Sequence, residues 1–136
     1  MDDRTFTLPE LASLIGVEYR TLHTWLRRGL LVGSRKQAQG SGTRNIFDRR
    51  DALEVYVLAD LRRAGLPLTT LEEVAAELRR SRDTRPENAE VLTINGAVQL
   101  GRYDEVVGAV SRASPTLVYD LAHAYAGLDA ALLQAE

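Results

Sequence analysis

The chain has 136 residues, no cysteine, two histidines and a formal net charge of −2, with 45% apolar and 26% charged residues. The length suits one domain, or a small domain with an appendage, and the composition excludes whole-chain disorder. Without cysteine there are no disulfides, thiolate metal sites or cysteine nucleophiles, and the balance of charge at first argues against a nucleic-acid partner.

Thr7-Leu8-Pro9-Glu10 predicts the start of a first helix, with Thr7 as N-cap and Glu10 completing a capping box. Pro9 is tolerated in a first turn. Leu11, Leu14 and Ile15 form an apolar stripe, and Gly16 ends the helix. A second helix is expected from Glu18 to about Arg28. Leu22, Trp25 and Leu26 face inward, Tyr19, Arg20, His23, Thr24 and Arg27 occupy the other faces, and Gly29 is the stop. Ser34 to Asn45 is polar and basic between the apolar stretches Leu30–Val32 and Ile46-Phe47. This suits a hairpin with its tip at Gly40-Ser41-Gly42, or a linker.

Asp48 to about Ala64 predicts a third helix, with Leu53, Tyr56, Val57 and Leu61 at helical spacing. Gly65 and Leu66-Pro67-Leu68 make a turn. Thr69 or Thr70 caps a fourth helix to about Arg80, and Thr70 with Glu73 fits a capping box. The polar stretch Ser81–Asn88, with Pro86, marks a boundary between a unit at residues 1–82 and one at 83–136. In the second unit, strands at Glu90–Ile94 and Ala97–Leu100 flank an Asn95-Gly96 turn. Asp104–Ala113 follows as a helix, then Leu117–Tyr119 as a strand or the first turn of a helix. Asp120–Ala135 is helical, with Leu121, Ala124, Tyr125, Leu128 and Leu132 on one side. The fold class is mainly α: a winged helix-turn-helix followed by a small α+β tail of one β-hairpin and two helices.

Two short helices joined at a glycine, then a basic hairpin, form a layout suited to DNA. A helix can enter the major groove, where base edges are distinguishable, while a basic hairpin holds phosphate. Charge supports the division. Residues 1–85 carry 15 basic and 12 acidic side chains, a net +3, and residues 86–136 carry 2 and 7, a net −5.

The stretch LPELASLIGVEYRTLHTWLRRGLL resembles the opening of the MerR family of transcription regulators. The matching positions are Glu10-Leu11-Ala12, Gly16-Val17, Arg20-Thr21-Leu22 and Gly29-Leu30-Leu31. GTRNIFDRRDAL is similar to the family's Arg-x-aromatic stretch and following Asp, here Arg44, Phe47 and Asp51 with altered spacing. LRRAGLPLTTLEEV resembles the next helix pair. The likeness covers roughly residues 5–80. It implies a sequence-specific double-stranded DNA-binding regulator of bacterial type, acting as a homodimer on a pseudo-palindromic site. The family's long dimer helix has no counterpart, because Pro86 and the Asn95-Gly96 turn interrupt it. No cysteine is present for metal sensing.

On this reading, Tyr19, Arg20, His23, Thr24 and Arg27 contact the major groove and its phosphates. Arg35, Lys36 and Arg44 hold backbone from the wing, and Asn45 reaches toward the minor groove. Glu18 serves the helix dipole, Trp25 is core, and Phe47 is the wing-base core. Arg49-Arg50, Arg62-Arg63 and Arg79-Arg80 read as surface ion pairs. Tyr119, Asp120 and His123 look catalytic only superficially, with Asp120 and His123 within reach of each other and no nucleophile beside them; no enzyme, metal or cofactor is expected. The apolar face with Leu117, Leu121, Tyr125, Leu128 and Leu132 is assigned to a second copy, giving a homodimer through the C-terminal region. An effector is not specified. The polar start and the absence of an ~18-residue apolar run predict a cytoplasmic, nucleoid-associated protein without a membrane span. The competing readings are an excisionase-like or architectural DNA-binding protein, and an antitoxin or protein-interaction module carrying a DNA-binding domain.

Overall fold

A computed structural model describes residues 4–33, 45–82, 91–108 and 115–135. Four helices come first: α1 (Leu8–Ile15), α2 (Tyr19–Arg27), α3 (Arg49–Arg63) and α4 (Leu68–Arg80). Then follow β1 (Val91–Ile94), β2 (Val98–Gly101), α5 (Tyr103–Gly108), β3 (Leu117–Asp120) and α6 (Leu121–Gln134). The strands form an antiparallel sheet in the order β2-β1-β3. The expected hairpin is therefore joined by Leu117–Asp120 as a third strand. The expected continuation of α5 to Ala113 lies outside the described residues, as does the tip of the proposed wing.

Local chemistry sets the helix ends. The Thr7 hydroxyl accepts from the Glu10 N–H, the Glu10 carboxylate accepts from the Thr7 N–H at 2.9 Å, and the predicted capping box is complete. Gly16 takes the left-handed conformation (φ 79°) that ends α1 and lets the chain turn into α2. Asp48 caps α3 through a second, reciprocal box with Asp51. The cap expected at Thr69 or Thr70 is not formed. The helix begins earlier, at Leu68, with Pro67 as N-cap and no side-chain cap bond. Pro67 supplies the extended backbone required there (φ −71°, ψ 157°), which places both threonines inside the helix.

α3 is the central element. Its buried residues include Ala52, Leu53, Val55, Val57, Leu58, Ala59 and Leu61, spread round the helix rather than along one stripe. It packs on α1, α4 and α6. Leu121, Ala124, Leu128 and Leu132 of α6 join the same core as Leu11, Leu22, Trp25 and Phe47. This corrects the expectation that the α6 apolar face meets a second copy. Leu121, Leu128 and Leu132 are covered by the chain itself, and of the five named residues Tyr125 is the large exposed one, at 44%. The segments on either side of residues 83–90 thus share one core.

Two polar devices brace α3, one from the end of α4 and one, across residues 83–90, from β3. Arg82 Nε donates to Glu54 Oε2 at 2.6 Å, and its Nη2 donates to Glu54 Oε1 and Asp51 Oδ1 at 2.7 and 2.5 Å. Both acids are buried, Asp51 at 1% and Glu54 at 7% exposure. Burial opposes the Arg82 charge, but Glu54 and Asp51 outweigh it and hold the guanidinium above its ordinary range. On the other side of α3, the Tyr119 hydroxyl donates to Asp60 Oδ2 at 2.7 Å.

Candidate nucleic-acid interface

α2 has two unlike sides. Leu22 and Trp25 are buried, with Trp25 in the core as its spacing predicts. Tyr19, Arg20, His23, Thr24 and Arg27 are exposed, Tyr19 at 51%. Arg20, Thr24 and Arg27 follow one another at i, i+4 and i+7 and share a face. Tyr19 and His23 lie beside them, ring centroids 6.0 Å apart and planes tilted by 34°. The Thr24 hydroxyl donates to the Arg20 carbonyl at 3.0 Å, so what it offers outward is its acceptor lone pairs.

Asn45 is half-buried and meets the aromatic pair across a groove of about 380 Å3. Thr7, Leu8 and Pro9 from the start of α1, and Tyr19, His23 and Leu26 from α2, line the rest. Glu10 stands at the same helix start. The Thr7 N–H and then the Thr7 hydroxyl hold its carboxyl below the usual carboxylate range. Close to Asn45 in the chain, Phe47 exchanges backbone hydrogen bonds of 2.8 and 2.9 Å with Phe6 and is fully buried, as expected of a core residue. Arg35, Lys36 and Arg44 lie outside the described residues.

The arginines of the other helices are spent on structure. Arg63 Nη2 donates to the carbonyls of Ile15 and Gly16 at the end of α1, both at 3.3 Å. Arg79 Nη2 donates to the carbonyls of Gly29 and Leu30 beyond α2, at 3.3 and 3.1 Å. Arg28 pairs with Glu72 at 2.7 Å. Arg49 pairs with Asp129, Arg50 with Asp48 and Arg80 with Glu77. The surface-pair reading therefore holds for Arg49, Arg50, Arg80 and, with Asp60, Arg63, whereas Arg62 donates to the Leu66 carbonyl and Arg63 and Arg79 also clamp the helix-turn-helix. By contrast, among the described residues no ion pair or hydrogen bond engages the guanidinium of Arg20 or Arg27.

The Asp120–His123 pair is not formed. Asp120 caps α6 by accepting from the Ala122 N–H at 2.9 Å, and His123 Nε2 instead meets Asp60 Oδ2 at 3.1 Å. Among the described residues no helix is long and apolar enough to cross a membrane.

A short helix, a left-handed glycine and a second helix with one face buried and the other cationic and aromatic define a helix-turn-helix protein. Residues 6–78 match the model of the MerR HTH family of regulatory proteins, and the chain belongs to that family. It is also 30% identical over 71 residues to uncharacterised HTH-type transcriptional regulators of Mycobacterium bovis and of two strains of Mycobacterium tuberculosis. That match covers 52% of this chain and 32% of each relative, so the chain spans about a third of the length of these relatives.

Proposed function

We propose that the protein is a sequence-specific double-stranded DNA-binding transcription regulator of the MerR type, with α2 as its major-groove helix. The observation that carries this is the contrast among arginines. Arg20 and Arg27 stand on the exposed face of α2 without protein partners among the described residues, while the arginines behind them clamp the helix in place. Exposed guanidinium groups that lack a protein acceptor suit guanine edges or phosphate. Tyr19, His23 and Thr24 supply hydroxyl and imidazole contacts beside them, and Asn45 a contact at the groove rim. Arg35, Lys36 and Arg44 add phosphate contacts from the wing. Two copies, joined through a C-terminal surface other than the buried α6 stripe, give two half-sites about one DNA turn apart.

Selection of bound fragments from genomic DNA, followed by fluorescence anisotropy over a salt series, tests this. The expected result is an inverted-repeat site and an affinity that falls steeply with salt. Tandem direct repeats would instead favour an excisionase-like, architectural protein. Absence of duplex binding even at low salt overturns the reading and favours a protein-interaction module.

A further inference from the structure

Asp60 stands between the C-terminal sheet and the helix-turn-helix. One of its carboxylate oxygens, Oδ2, accepts from the Tyr119 hydroxyl at 2.7 Å and faces His123 Nε2 at 3.1 Å. The other, Oδ1, faces Arg63 Nη1 at 3.7 Å. Arg63 is the residue whose Nη2 reaches the Ile15 and Gly16 carbonyls. A contiguous polar chain thus runs from β3 and α6, through α3, to the turn that sets the angle between α1 and α2. The geometry points to Tyr119 as a positioning residue for the α1–α2 turn, acting through Asp60 and Arg63.

The physical basis is the fixed shape of the two middle groups. A carboxylate is planar, so holding Oδ2 with a hydroxyl fixes where Oδ1 points. A guanidinium is a rigid fork, so placing Nη1 places Nη2. Tyr119 is well suited to this part, because its ring is partly buried against the core and His123 packs edge-on to it, with centroids 6.1 Å apart. Gly16 and Val17 are the responding end. Both N–H groups donate to the Ala12 carbonyl, at 2.9 and 3.0 Å, and they form the turn whose carbonyl side Arg63 holds. Gly29 and Leu30 provide an internal comparison. Their amides donate to Leu26 and Trp25 in a similar turn, held by Arg79 instead.

Amide hydrogen exchange on the full chain, read residue by residue by NMR, tests the assignment. In Tyr119→Phe, exchange at Gly16 and Val17 is expected to speed up several-fold while Gly29 and Leu30 keep their wild-type rates. Arg63→Met is expected to do the same, and the double variant to add nothing beyond Arg63→Met alone, since both act on one chain of contacts. An unchanged turn in Tyr119→Phe, equal acceleration at Gly29 and Leu30, or additive effects in the double variant each overturn the proposal. If Tyr119→Phe does not fold, Arg63→Met against an Asp60→Asn variant decides by the same comparison. The consequence for DNA rests on the function proposed above. With a fluorescein-labelled duplex recovered by the wild-type protein from fragmented genomic DNA, Tyr119→Phe is expected to bind more weakly at unchanged salt slope. Failure of the wild type to recover any duplex would overturn the DNA reading and leave the exchange comparison to decide the role of Tyr119.

Discussion

Arg79 and Leu30 meet across 49 residues of sequence: the Arg79 Nη2 donates to the Leu30 carbonyl at 3.1 Å, and to that of Gly29 beside it. A cation at the carbonyl end of a helix is favoured by both the hydrogen bond and the dipole. Here it also anchors the far end of α2 to α4. Arg79→Ala is expected to cost about 1 kcal/mol of stability, the scale of a partly exposed hydrogen bond. Arg79→Lys should recover only part of it, because an ammonium cannot copy the planar fork. Urea denaturation of the three proteins checks this.

Arg82 is a stronger case, because its partners are buried. Removing it leaves Asp51 and Glu54 without the cation that compensates their burial. Arg82→Ala is expected to destabilise the protein by ~3–5 kcal/mol. Asp51→Asn and Glu54→Gln introduced together with Arg82→Met should cost markedly less, since the uncompensated charge is then gone. Chemical denaturation of the single and triple variants distinguishes these outcomes.

The capping box at Thr7 carries a pH signature. Glu10 is held below its ordinary value of 4.5 in the folded chain. A lowered folded-state value means that its contribution is fully present above the unfolded value and is lost as pH falls through the folded one. Thr7→Ala is expected to cost about 1 kcal/mol at neutral pH and to leave a shallower acid limb in the stability profile. Thermal unfolding of both proteins across the carboxylate range measures it.

Tyr119 titrates in the opposite sense. Burial first, and then its hydrogen bond to Asp60, push its phenol above the ordinary value of 10.0. The contribution is therefore complete below that value and is lost as pH rises through the folded-state one. Alkaline ultraviolet titration should show a tyrosine component in the wild type that ionises above the ordinary phenol range. Tyr119→Phe should lack that component.

On DNA, Arg20→Ala and Arg27→Ala separate the two kinds of contact. A residue bidentate to guanine is expected to cost ~1–3 kcal/mol and to relax preference at one base pair. A residue on phosphate is expected to weaken all sequences alike and to lower the salt slope by about 1. Anisotropy on matched and singly altered duplexes assigns each.

Local pattern made much of this legible. Thr7 with Glu10, the stops at Gly16 and Gly29, the inward spacing of Leu22 and Trp25, and the Asn95-Gly96 turn are written within a few residues of one another. The exposed face of α2 followed directly from that spacing. The α3 capping box is equally local, in Asp48 and Asp51, three residues apart. What was not legible is distant pairing. Tyr119 reaches Asp60 across 59 positions, Arg79 reaches Leu30 across 49 and Arg82 reaches Glu54 across 28. Periodicity tells which way a side chain faces, but not what it faces. For the same reason, the apolar stripe of α6 pointed to burial without saying that α3 of the same chain covers it.

The contact between α1 and α6 has a kinetic consequence. α1 and α6 share a core, so the pair of helices proposed to read DNA gains its full support only after residues near Leu132 have been synthesised. Closing a loop that spans nearly the whole described chain is entropically slow compared with forming either helix. Refolding should therefore lag behind that of a helical bundle with neighbouring contacts only. On the ribosome, the α1–α2 unit would wait for α6 to emerge before gaining its full support.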